Sequence, residues 1–205
     1  GVEMYSGKTF SQERYTLWTM QSSFHNLPVI NGCQQNNGRF YKATDVMYHN
    51  NDEEAVLEMN IDKAYPEESG ICYWKRTCRL SRGSEKFIEI LEDFKLLELG
   101  DDIKLTYMTP CKPVYKSQRD IDNEIKGGIY IKTKEESENE FSENITEENI
   151  LFLQFDDDVF DYSYESIQLN DMGLIQQWGN YLYRIILKPK YKVNEGNWLI
   201  KITIM

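Results

Sequence analysis

The sequence predicts an all-β fold, an antiparallel β-sandwich, on three observations. Apolar and polar residues alternate with a period of two in several stretches, and short polar turns separate those stretches at fairly even intervals. Aromatic residues make up 13% of the chain, with 14 tyrosines, and Tyr, Ile and Trp suit the pleated, half-buried surface of a strand. No long amphipathic helix and no internal repeat is visible. A single β-domain spanning residues 1–205 accommodates the whole pattern, since sandwiches often run to this length. A chain of this size can bury a sizeable core, and its 40% hydrophobic content argues against disorder of the whole.

The stretch from Arg14 to Gly38, RYTLWTMQSSFHNLPVINGCQQNNG, is the densest in aromatic, apolar and hydrogen-bonding side chains. It reads as a strand from Arg14 to Gln21, a polar break at Ser22-Ser23, and a short strand at Leu27-Pro28-Val29-Ile30. A turn follows at Asn31-Gly32, whose glycine takes positive φ at no steric cost. His25, one of two histidines in the chain, is followed by Asn26 and sits where one strand ends and the next begins. Scaffolds often place functional groups at such junctions.

Further strands are expected from Gly38 to Tyr48 and from Glu53 to Asp62, where Ala55, Leu57, Met59 and Ile61 alternate with Val56, Glu58, Asn60 and Asp62. Ile71–Leu80 and Lys86–Leu97 read as two strands joined at Ser81-Arg82-Gly83-Ser84. After the turn at Gly100-Asp101-Asp102, Ile103, Leu105 and Tyr107 resume the two-residue period. Gly127-Gly128 opens a short strand, Ile129 to Lys132. Between Glu135 and Asp171 stand thirteen acidic residues and no basic one, which predicts an exposed acidic loop over 135–149. Asp156-Asp157-Asp158 has no EF-hand spacing and reads as a solvated turn after the apolar run Ile150–Phe155. Leu174–Trp178 is a short helical turn or a strand edge. Tyr181–Leu187 and Trp198–Ile204 are strands expected to close the sheet as a terminal hairpin.

The net charge of −11 argues against nucleic acid or an anionic membrane as partner, because neutralising phosphates takes clustered Lys and Arg. The acidity is uneven. Residues 1–50 carry four basic groups (Lys8, Arg14, Arg39, Lys42) against three acidic ones (Glu3, Glu13, Asp45), while the remainder carries 19 against 31. Cys72 and Cys78 fall in one expected strand, about 20 Å apart at the strand rise, too far to bridge. No CxxC pair is present, so a zinc ribbon is not supported, and Cys33, Cys72, Cys78 and Cys111 read as free thiols. No signal peptide or transmembrane run is visible. The chain begins with Gly rather than Met, so it reads as a processed product or an excised piece, and its compartment is not legible.

The order of motifs resembles the heparinase II/III-like polysaccharide lyases, in their C-terminal β-domain. Ser23-Phe24-His25-Asn26-Leu27-Pro28-Val29-Ile30-Asn31-Gly32, with Gln34 and Gln35 behind it, corresponds to that family's His-Asn pair, apolar run, Asn-Gly and glutamine. GRFYKATDV at 38–46, IDKAYP at 61–66, WKRTCRL at 74–80 and IEILEDF at 88–94 follow in the family's order, so the likeness covers about Met4 to Thr109. The resemblance implies a supersandwich-like β-sandwich, the C-terminal portion of a larger lyase. It also implies a preceding α/α-toroid as partner, and an acidic polysaccharide or oligosaccharide, of the glycosaminoglycan kind, as substrate.

Related lyases hold a divalent metal, usually zinc, on this β-domain, and the histidine of the His-Asn pair is one ligand. His25 takes that place. The family's other ligands come from a His-x-His segment N-terminal to it, which this chain lacks, and His49 does not match a ligand position. A firm zinc site takes three protein ligands, so no tightly bound metal is expected in this chain, with zinc in the full-length protein only. The family reaction is β-elimination: a base removes the C5 proton, charge moves into the uronate carboxylate, and an acid protonates the departing O4. The tyrosine and the carboxylate neutraliser for it lie on the toroid, so no catalytic residue is assigned here. Tyr15, Gln21 and Asn26 could line the groove from the β side. Two other readings stand beside this one: a carbohydrate-binding module whose Tyr41, Trp74 and Trp178 stack on sugar rings, and a purely structural β-domain.

Overall fold

The strand expected over Lys86–Leu97 becomes the longest in the fold. The computed structural model describes residues 7–117, 127–132 and 150–204. The strands of the first half are β1 (Pro28–Val29), β2 (Thr44–Asn50), β3 (Glu54–Asn60), β4 (Ile71–Ser81), β5 (Phe87–Gly100) and β6 (Lys104–Thr109). Those of the second are β7 (Val114–Ser117), β8 (Gly127–Lys132), β9 (Ile150–Phe155), β10 (Phe160–Gln168), β11 (Tyr181–Pro189) and β12 (Val193–Ile204), with one helix, α1 (Met172–Trp178). In β5, Ile90, Glu92, Phe94 and Leu96 are buried, because every second residue faces the core.

Among the described residues the strands form two antiparallel sheets packed as a sandwich. The larger runs β2-β3-β4-β5-β12-β9-β8-β7 and the smaller β1-β6-β11-β10. Trp74, Phe94, Phe155, Ile129, Leu153 and Ile200 from the larger sheet meet Leu105, Ile185 and Leu187 from the smaller, all less than 2% exposed. Trp74 stacks on Phe94 with ring centroids 4.4 Å apart, and Trp198 lies 4.5 Å from Phe94. Gly196 makes room for that cluster: a Cβ there would stand 2.7 Å from Cε1 of Phe94. The fold class is therefore the antiparallel β-sandwich that the alternation predicts.

Three expectations are corrected. Arg14–Gln21 is not a strand. Short 3₁₀ helices occupy Gln12–Thr16, Trp18–Met20 and Ser22–Phe24. Ser11 starts the first by accepting from Glu13 N at 3.1 Å, and Thr16 Oγ1 donates to Glu13 O at 2.7 Å, so local polar bonds take the place of a ladder. Tyr15, Trp18 and Phe24 recur at multiples of three, the spacing at which side chains eclipse on a 3₁₀ helix, and the Trp18 and Phe24 rings meet at 5.4 Å. Residues 38–48 pair only from Thr44 onward, after a segment in which Phe40 and Tyr41 are exposed. The terminal hairpin does not exist: β11 pairs with β6 and β10, whereas β12 pairs with β5 and β9. The link between them crosses from one sheet to the other.

Two turns match the expectation, while no expectation covers β7 or β10. Asn31 (φ 51°) and Gly32 (φ 74°) form the turn after β1. Asp156–Asp158 is a turn, with Asp158 N donating to Asp156 Oδ1 at 2.9 Å. Cys72 and Cys78 share β4, and Cys33, Cys72 and Cys78 are free thiols. The acidic loop over 135–149 lies outside the described residues. No described helix is long and apolar enough to cross a membrane.

Candidate functional site

The His25–Asn26 corner rounds the edge of the smaller sheet, between the last 3₁₀ turn and β1. His25 is extended (φ −124°, ψ 176°) and donates its backbone N–H to Ser22 O at 3.1 Å. Leu27 N donates to His25 O at 2.8 Å, closing a three-residue γ-turn about Asn26. The Thr106 hydroxyl lies 2.7 Å from His25 O and 2.8 Å from Leu27 O, so one proton is shared between two carbonyls. Between them, Asn26 O accepts from Arg76 Nη1 at 2.7 Å. The Asn26 side chain is also engaged, its Oδ1 accepting from Met108 N at 2.8 Å.

Flanking bonds extend this hold. Arg184 Nη1 donates to Ser23 O at 3.1 Å, and its guanidinium lies 4.4 Å from the centre of the Phe24 ring. Gln34 Oε1 accepts from Ser23 N at 3.3 Å, and Ser22 Oγ from Gln35 N at 2.8 Å. On the far side, Tyr65 Oη donates to Pro28 O at 2.6 Å. Thr106 and Ile186 are buried because this segment covers the face of the smaller sheet turned away from the core.

The His25 ring is exposed, with Nε2 3.2 Å from Thr19 O. A carbonyl can only accept, so this contact places a proton on Nε2 and leaves the Nδ1 lone pair of the neutral ring as the acceptor or ligand atom. Gln21 Nε2 donates to Tyr15 O at 3.1 Å, and the Tyr15 ring is 46% exposed, with the Arg14 guanidinium 6.0 Å from its centre. Tyr15 and Gln21 are thus joined to each other, and Asn26 is adjacent to His25, in the least acidic part of the chain.

Sequence reading missed what lies beneath the corner. Glu92 is 0% exposed, yet it points into the core between Ile90 and Phe94. Its carboxylate accepts from Trp74 Nε1 at 2.6 Å, from Arg76 Nε at 2.8 Å and from Arg76 Nη2. Trp74 and Arg76 stand directly opposite Phe94 and Glu92 across the β4–β5 ladder. Burial works against the Arg76 charge, but the neighbouring carboxylate outweighs it and raises the guanidinium pKa above its ordinary value. The signal was present: the same two-residue period that puts Ile90 and Phe94 in the core puts Glu92 there too.

The described residues do not by themselves fit a zinc site. No group of three His, Cys, Asp or Glu side chains is gathered among them. His49 lies elsewhere, on β2, 3.7 Å from Glu54. Of the aromatics considered for sugar stacking, Tyr41 is 39% exposed and Trp178 half-buried, but Trp74 is sealed in the core, so a stacking role for it is corrected.

No protein-family model matches the sequence, and no curated protein sequence matches it significantly. Solved structures do. The chain superposes on the crystal structure of heparan sulfate lyase HepC from Pedobacter heparinus with a TM-score of 0.62 and 16% identity, covering 99% of this chain and 27% of that one. A mutant of the same lyase gives a TM-score of 0.62 at 15% identity with the same coverage. The chain has a heparinase-like β-sandwich fold, and it spans 27% of the length of the lyase it matches.

Proposed function

We propose that this heparinase-like β-sandwich is the C-terminal portion of a polysaccharide lyase, where it supports a catalytic α/α-toroid and forms one wall of the cleft for a uronic-acid-containing glycan. The observation that carries this reading is the His25–Asn26 corner: its backbone is bonded at every carbonyl, while both residues remain exposed. In this role Tyr15, Gln21 and Asn26 present hydrogen-bonding groups and an aromatic face to sugar hydroxyls, and Arg14 adds a positive charge for the uronate. His25 contributes one ligand to an ion shared with groups outside these residues, and no reaction step is assigned to it here. The proton carriers for β-elimination belong to the toroid, so the chain alone binds glycan weakly and does not cleave it.

The test is a lyase assay on acidic polysaccharides, following the ultraviolet absorbance of the unsaturated product. Residues 1–205 alone should give no product above background, whereas a polypeptide that also carries the toroid should give it. Robust cleavage by residues 1–205 alone would overturn the division of labour.

A further inference from the structure

We propose that Arg76 and Glu92 are positioning residues, whose buried ion pair fixes the Asn26 carbonyl and through it the direction in which the His25 imidazole leaves the surface. This rests on the reading of His25–Asn26 as the working corner. Neither residue is placed to touch a ligand, since Glu92 is wholly buried and Arg76 nearly so.

Three observations carry the inference. The first is where the pair sits. It occupies the core register of β4 and β5, flanked by Trp74 and Phe94, a setting in which replacing an ion pair by apolar side chains of similar volume is often neutral or stabilising. Trp74 Nε1 needs an acceptor at this position, which a neutral amide would also supply, so stability does not require the charged pair. What an apolar pair cannot supply is the spare donor: Nε and Nη2 of Arg76 are spent on Glu92, and Nη1 is aimed at Asn26 O.

The second is which carbonyl is held. Asn26 is the pivot of the γ-turn, and its neighbours on either side share a single hydroxyl proton. The pivot alone receives a charged donor, which makes a stronger bond than a neutral one. The third is what the bond connects. Thr106 and Met108 tie residues 25–27 to β6 of the smaller sheet, and among the described residues only Arg76 ties them to the larger one. Arg76 thus sets the corner's position relative to both layers of the sandwich, and Glu92 holds the guanidinium in the one orientation that does so.

The test uses two variants of the 205-residue chain, followed by amide hydrogen exchange and by NMR of the His25 ring. Arg76→Met with Glu92→Gln removes both charges together, so no buried charge is stranded, and the glutamine amide oxygen remains as the acceptor for Trp74 Nε1. Arg76→Lys keeps a charge for Glu92 but cannot reach Glu92 and Asn26 O at once. In both, exchange at the Met108 amide, which bonds the Asn26 side chain, should speed up about tenfold, the loss expected for one hydrogen bond. The His25 ring resonances should shift, while amides in the β8–β9 pair keep their protection. A folded variant with the Met108 amide and the His25 ring unchanged would overturn the proposal. Loss of fold in both variants would also overturn it, by assigning the pair to stability. These readouts do not depend on glycan, so failure of the lyase reading would leave them standing, and the reverse.

Discussion

At the scale of single residues, Glu92 and Tyr107 show two outcomes of burying a polar group. Glu92 is satisfied by three donors. The Tyr107 hydroxyl is buried with no hydrogen-bond partner among the described residues, and burial, with the Glu92 charge beside it, raises its pKa. An unpaired buried hydroxyl costs free energy, so Tyr107→Phe should leave stability unchanged or raise it by up to about 1 kcal/mol. Asn26→Ala acts in the other direction. It removes the acceptor for Met108 N and should cost about 1 kcal/mol, read as a lower denaturation midpoint at constant m-value. His25 does stand at a junction, but between a 3₁₀ turn and β1 rather than between two strands as the sequence suggested. The bonds that hold it were not legible, because Thr106 and Arg76 lie far along the chain and a single sequence carries no pairing information.

At the scale of elements, the two-residue period read correctly across β3 to β6, whereas it did not reveal β7 or β10. The strands expected over 53–62, 71–80 and 86–97 became β3, β4 and β5, with the hairpin turn between the last two where expected. It misled at Arg14–Gln21, where an apparent alternation coexists with a three-residue recurrence of aromatics and no partner strand is available. The terminal hairpin failed for a different reason. β11 and β12 are each convincing strands, but pairing depends on which sheet has an open neighbour, and that is a property of the whole topology. Close packing between elements makes a further prediction. A Cβ at Gly128, on β8, would come within 2.0 Å of Cε2 of Phe152 on β9. Gly128→Ala should therefore cost about 1–3 kcal/mol through displacement of that ring, measurable as a drop in Tm, with larger residues costing more.

At the scale of the whole molecule, the sandwich buries several phenols that resist ionisation. Burial pushes Tyr162 up to about 12, helped by Tyr164, and raises Tyr65 and Tyr107 as well. Their unfolded pKa is about 10. Below that value both states hold the phenolic protons and these groups contribute no pH dependence. Above it the unfolded chain releases protons that the folded chain keeps, so stability is lost as pH rises from about 10 through the folded values. Thermal unfolding should therefore show a Tm that falls with pH above about 10, and Tyr107→Phe should make that fall shallower.

The division of the molecule into a rigid sandwich and a presented corner also makes a claim about ligand. The most direct measurement is amide NMR of the 205-residue chain titrated with an acidic uronate-containing oligosaccharide. Shifts should concentrate at Tyr15, Gln21, His25 and Asn26 and weaken with added salt. Shifts confined to Tyr41 and Trp178, or none at the corner under saturating oligosaccharide, would contradict the account.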